Sequence, residues 1–519
     1  MTASENPPPE TQLRLGTPKG RWVLAACVLG SSMALLDSTV VNVALPTIGR
    51  HLNASLGDLQ WTVTAYTLTL AGLILVGGSL GDRLGRRRIF VIGVVWFALA
   101  SALCGSAPNI DVLIGARVLQ GVGGALLTPG SLAIIQATFH PDDRPRAVGA
   151  WSGLGGVASA IGPVLGGWLV QVAGWRWVFL LNLPLAAAVV LVSIRHVPET
   201  RDSSATGRFD VAGAALAALG LGGITYWLIE APEQPGSAAP LVAGVIGVAA
   251  FAGFLVTEHR RTHNRRVPAM MPLDVFGNRQ FSVINAITFL VYGAFGGLLF
   301  LLVLQLQVVA GFSPLAAGSA LLPVTLLMLT LSARSGALAQ RVGPRWLLTV
   351  GLSACAIGMA LMSRIGLHAS YLTDVLPAVV VFGCGLTLTV APLTATVLAS
   401  ADVRHAGVAS GVNNAVARAA GLVAVAALPA AVGLGAASYH IPSEFSHGFM
   451  LATIICAVLL VAAALLAALL INNNVLRPDG VQHAAPECLT NCTVGAPPLE
   501  PAHPEAALAV GGDPKDPQP

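Results

Sequence analysis

Long apolar runs separated by short polar segments dominate this chain. A membrane-spanning helix needs about 20 mostly apolar residues, and lipid tolerates only helices or closed barrels. The runs are continuously apolar, whereas barrel strands alternate over about ten residues, so each run is predicted to be a helix. Fourteen such spans are predicted, at 22–46, 58–80, 88–106, 110–134, 147–171, 176–195, 211–231, 239–257, 280–305, 313–334, 345–364, 372–399, 406–433 and 449–472.

Composition agrees with a membrane protein. The 519 residues are 55% hydrophobic and only 10% charged, against about 25% charged residues in soluble domains. The first twenty residues are polar and the first apolar run is too long for a signal peptide, so we expect the first span to be retained. The net charge is +4, and the basic residues form no patch arranged for nucleic acid. We therefore expect no nucleic acid to bind.

The basic residues predict an orientation, because cytoplasmic loops are enriched in Lys and Arg. Most of the 28 Lys and Arg residues fall in segments on the side of the N-terminus, and only Arg50, Arg176 and Arg364 fall on the other side. We therefore expect both termini in the cytoplasm and a multi-pass protein of the inner (plasma) membrane.

Two pairs of sequence signals repeat about 260 residues apart in the same direction. Residues 78–88 read GSLGDRLGRRR and residues 336–345 read GALAQRVGPR. Pro129 followed by RAVG at 146–149 matches Pro392 followed by RHAG at 404–407. A parallel repeat predicts an all-α fold of two six-helix bundles, with two inserted helices. The predicted parts are an N-terminal tail 1–21, a first bundle 22–195, an insertion and linker 196–279, a second bundle 280–472 and a disordered tail 473–519.

One acid lies inside the first span, in SSMALLDSTVVNVALP. A charge at that depth costs at least ~2.5–3.5 kcal/mol on insertion scales. By helical rise, Asp37 lies about 22 Å from the inner end of its span in a hydrocarbon core ~30 Å thick, so it is nearer the outer side. Arg117 lies about 9–11 Å below the outer boundary of the fourth span, by the same rise. These depths nearly match, so we expect the two charges to interact. A purely structural ion pair is the alternative, because the rotation of each helix about its axis is unknown.

Two glycine-containing motifs stand out. In GSLGDRLGRRR, Gly78 allows close helix approach, Gly85 permits a tight turn, and Asp82 can face a helix N-terminus; an ordinary positively charged loop is the alternative. In GLGGVASAIGPVLGGW of the fifth span, Pro163 predicts a kink. The glycines of this second motif, which predict close packing against other helices, are Gly153, Gly155, Gly156, Gly162, Gly166 and Gly167.

Together these motifs resemble the major facilitator superfamily, specifically its fourteen-span drug:proton antiporters, over residues 20 to 472. The resemblance implies that the acid of LLDSTVVNVALP couples transport to protons and that Gly-Pro-x-x-Gly-Gly is the motif of exporting branches. It also implies a gate latch in the loop after the second span. In the second copy of this loop, at residues 336–345, Gln340 stands in the place of Asp82. The implied latch residues are Gly78, Asp82, Arg83, Gly85, Arg86 and Arg87.

The function implied is export of hydrophobic, cationic compounds or antibiotics in exchange for protons, with cargo and proton competing at Asp37 and Arg117 tuning the step. A proton-coupled importer of the same fold and a non-transporting sensor or scaffold are the alternatives. Candidate cavity residues, for which helix packing and interhelical bonding compete as explanations, are Asn42, Trp61, Tyr66, Tyr292, Phe295, Asn414 and Arg418.

Other functions find no support in the sequence. There is no Walker sequence, so ATP is not expected as the energy source, and no metal-ligand spacing, cofactor motif or enzyme signature is present. We expect no cofactor, no metal and no enzymatic activity, and partners limited to small hydrophobic substrates, protons and the lipid bilayer, with the protein as a monomer. Cys488 and Cys492 form CLTNC in the tail, where a metal or redox role is a minor alternative.

Overall fold

In a computed structural model, the described part of the chain comprises residues 12–201, 210–263, 271, 273–400, 406–435, 439 and 441–476. Thirteen helices among these residues are long and apolar enough to cross a membrane, and α2 makes a fourteenth if its two parts, which meet at a bend of 47°, count as one span. The helices are α1 Pro18–Leu52, α2 Leu56–Leu84, α3 Arg86–Ser106, α4 Ile110–Thr138, α5 Arg144–Val172, α6 Arg176–His196, α7 Val211–Glu233, α8 Ala238–His263, α9 Arg279–Val309, α10 Pro314–Val342, α11 Pro344–Met362, α12 Tyr371–Ala399, α13 Ala406–Ala431 and α14 Pro442–Leu470.

Several helices extend beyond the apolar runs because local caps determine where they begin and end. The Thr17 side chain accepts a hydrogen bond from Gly20 N, and Pro18 occupies the first turn of α1, where a proline loses no hydrogen bond. A capping box of Ser55 and Asp58 starts α2. Helix α1 therefore begins four residues before the apolar span predicted at 22–46.

The helices pack as two groups. Helices α1–α6 contact one another, α9–α14 contact one another, and the inserted pair α7–α8 lies against α2 and α13. The sharp turns at Gly85 (φ +114°) and Gly343 (φ +96°) occupy matching places before α3 and α11. Both need the left-handed region that glycine tolerates, which agrees with the repeat of sequence.

The two ends of the bundles define two faces. The N-terminal face carries Pro18 and the turn at Gly85, and the far face carries Asn53 and Gly311. Residues 12–17, predicted as tail, instead lie on the α4–α5 connection, where Leu13 N donates to Thr138 O at 2.9 Å. The predictions for Arg404, Cys488, Cys492 and the tail beyond residue 476 lie outside the described residues.

The two bundles meet in the far half. Gln60 of α2 donates to Val425 O (2.6 Å) and Ala426 O (3.1 Å) of α13. Gln307 of α9 donates to Val43 O of α1 at 2.9 Å. These residues all lie in the halves of their helices nearest the far face, so the molecule is closed on that face.

The N-terminal half is open by contrast. Leu154 on α5 is 49% exposed, and no described atom would lie within 4 Å of a Cβ added at Gly153 or Gly156. A cavity of about 280 Å³ lies in the same half, between α9, α12 and α13. The structure is therefore a conformation open towards the N-terminal face.

Candidate functional site

A buried ion pair joins α1 to α4. Arg117 Nη1 lies 2.5 Å from Asp37 Oδ2. Their side chains are 1% and 0% exposed. The depth match derived from helical rise thus corresponds to a direct contact, and the packing rotates both side chains towards the middle of the first bundle.

Further donors hold the Asp37 carboxylate. Gln120 Nε2 donates to Oδ1 at 2.7 Å, and Asn182 Nδ2 donates to the same oxygen at 3.1 Å. Ser101 accepts from both amides, at 2.8 Å and 3.3 Å. We call Asp37, Arg117, Gln120, Asn182 and Ser101 the ion-pair site. Because buried charges are tolerated when they are paired and hydrogen-bonded, this network accounts for an acid in the first span.

Other groups also hold the guanidinium of Arg117. Its Nε donates to Thr62 O at 2.9 Å and its Nη1 donates to Gln120 Oε1 at 2.6 Å. The ring of Tyr66 lies 4.3 Å from the Arg117 Cζ, and that of Phe179 lies 5.9 Å away. Aromatic faces stabilise a cation, so the arginine is held from α2 and α6 as well.

Helices α1, α2, α3, α4 and α6 therefore meet in one network around the Asp37 carboxylate, to which α4 and α6 donate directly. Of the donors to this carboxylate, Arg117 alone carries a full positive charge. Protonation of Asp37 would remove the charge that holds Arg117 against α1. The ion-pair site can thus convert a proton into a change in helix packing.

The α2–α3 loop is bound within its own bundle. Asp82 Oδ1 pairs with Arg86, with its Nε and Nη2 both at 2.8 Å. Glu199, just after α6, accepts from Arg87 N (3.1 Å) and Arg88 N (3.2 Å). Glu199 thereby caps the N-terminus of α3, where a negative charge is favourable.

This geometry bears on the predicted latch. Gly78 lies beside Pro129, and a side chain at Gly85 would be strained because its φ of +114° is rarely adopted by other residues. Arg87 also donates to Val197 O at 3.1 Å. Asp82 and Arg86 contact each other, Arg87 contacts the segment just after α6, and Arg83 has a contact of its own. In this open conformation the loop is anchored, and its role as a latch stays a prediction.

The Gly-Pro-x-x-Gly-Gly segment of α5 lies where three helices meet. A Cβ at Gly166 would lie 3.0 Å from Val40 Cα of α1, and one at Gly162 would strike Thr39. On its other side, a Cβ at Gly167 would lie 2.7 Å from Leu315 Cα of α10, and Gly318 of α10 reaches the Pro163 carbonyl. The segment therefore forms part of the contact that closes the far face.

Gly153 does not share this role. The sequence predicted that it packs against another helix, but it is exposed, in the open half of α5. The prediction was wrong for this conformation, because the bundles separate where Gly153 lies.

The cavity of the second bundle contains three of the predicted substrate residues, namely Tyr292, Asn414 and Arg418. Polar neutral groups and aliphatic side chains make up the rest of its wall. These remaining lining residues are Thr394, Val397, Leu398, Ser410, Asn413 and Ala417.

Four other candidates lie elsewhere. Trp61 donates to Glu230 Oε1 of α7 at 2.7 Å, so it faces the inserted pair. Tyr66 is buried against Arg117, and Phe295 stacks on Phe382 with ring centroids 6.0 Å apart. Asn42 keeps a buried carbonyl oxygen without a described partner. None of these four lines the cavity of the second bundle in this conformation, and their role in a substrate cavity stays a prediction.

Sequence reasoning missed Gln120, Asn182, Ser101 and Glu199. Gln120 lies one turn after Arg117 and so shares its helix face, which was a usable signal. Nothing in the sequence links Ser101 or Glu199 to their partners.

Comparison with known proteins places the fold in context. The Major Facilitator Superfamily profile matches residues 27–426. The tetracenomycin C resistance and export protein of Streptomyces glaucescens is 35% identical over 79% of this chain and 76% of its own. The methylenomycin A resistance protein of Bacillus subtilis is 36% identical over 81% and 89%, and the Streptomyces alboniger puromycin resistance protein pur8 is 36% identical over 79% and 81%.

Solved structures share the architecture. An inward-facing, unoccupied bacterial homologue of the lysosomal transporter Spinster has a TM-score of 0.61 at 18% identity, covering 88% of this chain and 97% of that one. An auto-inhibited peptide transporter of the POT family has a TM-score of 0.62 at 16% identity, covering 88% and 98%. At these identities the likeness concerns the fold alone.

Proposed function

The chain belongs to the major facilitator superfamily, and on that premise we propose that it exports hydrophobic small molecules, antibiotics among them, in exchange for protons. The observation that carries the proposal is its similarity to proteins named for antibiotic resistance and export, together with a buried carboxylate–guanidinium pair in the first bundle. The family and its relatives are transporters, and the chain is a multi-pass membrane protein.

The protein acts in the cell membrane with its N-terminal face towards the cytoplasm. The concentration of Lys and Arg at that face supports this orientation, since basic segments stay inside. Both termini are then cytoplasmic, and the open cavity in this conformation faces the cytoplasm. That geometry suits a protein that collects cargo from inside the cell.

Coupling proceeds through the ion-pair site. In the inward-open state, Asp37 is ionised and held by Arg117, Gln120 and Asn182. In the outward-open state the site takes up a proton, the pair with Arg117 loosens, and cargo leaves. The protonated protein returns inward, releases the proton and restores the pair.

Direct competition between cargo and proton at Asp37 does not fit this geometry. The carboxylate is sealed and surrounded by donors, while the cavity lies on the second bundle. We therefore propose that proton and cargo act at separate places and are linked by which face is open. A ligand shifts the equilibrium between the inward-open and outward-open states only if it binds one of them more tightly than the other.

Reconstitution tests the proposal. The full chain is placed in liposomes with an imposed pH gradient, and efflux of a panel of dyes and antibiotics is measured with internal pH. Counterflow of protons and cargo supports antiport. Flux of cargo in the same direction as protons supports an importer, and flux that ignores the gradient excludes coupling.

A further inference from the structure

The second-bundle cavity contains a cation with no counter-ion among the described residues. Arg418 lies in the cavity wall on α13, about 18 Å along that helix by rise per residue. Neither an ion pair nor a hydrogen bond joins it to any described residue. Charged side chains inside a membrane bundle are costly and are usually paired, so this guanidinium calls for a ligand.

The surroundings of Arg418 contain donors and neutral polar groups but no acid. The wall supplies the Tyr292 hydroxyl from α9, the Thr394 hydroxyl from α12 and the Asn414 amide from α13. None of the described lining residues is Asp or Glu.

The acid in the neighbouring bundle is not available to balance this charge. Asp37 is already paired with Arg117 and its side chain is 0% exposed. The positive charge of Arg418 therefore acts on whatever enters the cavity. An organic cation would be repelled there, whereas a carboxylate or phenolate would be attracted in a site of low dielectric.

From these observations we propose that Arg418 selects cargo bearing an anionic oxygen, so that the preferred substrates are amphipathic organic anions with a carboxylate or phenolate beside an apolar body. This rests on the proposed function and replaces the sequence-based expectation of cationic cargo. A guanidinium suits such groups because it binds carboxylate oxygens in a bidentate manner, while Val397, Leu398 and Ala417 contact the apolar part.

Equilibrium binding of two xanthene dyes tests the proposal. Fluorescein is anionic and rhodamine 123 cationic at pH 8, and polarisation is measured with the full chain in phosphatidylcholine nanodiscs, which hold no anionic headgroup. We expect fluorescein to bind at least about tenfold more tightly than rhodamine 123. Arg418→Gln should weaken fluorescein binding about 10- to 100-fold, the range of a charge-assisted hydrogen bond, without weakening rhodamine 123.

Three further variants make the result specific. Arg418→Lys keeps the charge and should retain most fluorescein binding. Asn414→Asp adds an acid one helical turn before Arg418, within ion-pair reach, and should reduce the preference without removing the arginine. Arg334→Gln removes an exposed arginine of α10 outside the cavity and should change neither dye.

Two results would overturn the assignment. One is a wild-type protein that binds rhodamine 123 more tightly than fluorescein. The other is an equal loss of both dyes in Arg418→Gln and Asn414→Asp at unchanged thermal stability, which would make Arg418 a structural residue. Binding is measured without a gradient, so it does not depend on transport. A preference for fluorescein together with no gradient-driven flux would contradict the proposed function but not the role of Arg418.

Discussion

Arg117 and Asp37 lie 80 positions apart in the chain, yet Arg117 Nη1 lies 2.5 Å from Asp37 Oδ2. Each holds the other in place inside the bilayer, because either charge alone would be buried without a partner. Within the ion-pair site, only this contact joins two groups that both carry a full charge. A proton on Asp37 therefore weakens this contact more than the other hydrogen bonds of the site.

Replacing the acid should separate transport from folding. Asp37→Asn keeps the size of the side chain and removes its titratable charge, so we expect gradient-driven efflux to be lost while the protein is still inserted and folded. Efflux and internal pH are measured in liposomes. Asp111→Asn, at the exposed start of α4, is the matched control and should transport normally. Normal cargo-driven proton movement in Asp37→Asn would remove the ion-pair site from the mechanism.

Breaking the pair from the other side should destabilise the protein. Arg117→Met leaves the Asp37 carboxylate buried without its cation, which costs about 3–5 kcal/mol for such pairs. Thermal unfolding in detergent should show a clear fall in Tm. The double variant with Asp37→Asn should recover much of that Tm yet stay inactive. A double variant no more stable than Arg117→Met would show that the two charges are not energetically coupled.

The Gly-Pro-x-x-Gly-Gly segment should control closure of the far face. A side chain at Gly167 would strike the Pro314 carbonyl and the Leu315 backbone of α10. Gly167→Ala should therefore shift the population towards states open on that face and reduce transport. Spin labels at the exposed positions Gln171 and Ala316 report the opening as a longer distance. Gly153→Ala meets no described neighbour, and an equal shift there would contradict the assignment.

The loop after α2 should influence rate more than stability. Asp82 and Arg86 form a partly exposed pair four residues apart, and such pairs contribute about 0.3–0.5 kcal/mol. Asp82→Asn should leave Tm nearly unchanged and slow transport, since the latch proposed for the closed inner face loses its charge. Gln340→Ala, at the matching place of the second bundle, should transport at the wild-type rate. Equal rates in both variants would argue against a latch.

Much of the architecture follows from local sequence. An apolar run of about 20 residues forms a helix in lipid whatever surrounds it, because no other backbone conformation satisfies its amides there. The two turns that need a left-handed glycine, at Gly85 and Gly343, are visible as sequence repeats. The depth of Asp37 and Arg117 followed from a fixed rise per residue.

What packing alone decided was the rotation of each helix and the separation of the bundles. Depth depends on rise along one axis, whereas the direction of a side chain depends on contacts with helices distant in sequence. Trp61 therefore turned to the inserted pair, Arg418 to the cavity, and Asn182 to Asp37. The residue types predicted a charged site inside the membrane. The tertiary structure decided that its acid is sealed, while Arg418, which has no ion-pair partner among the described residues, lines the cavity.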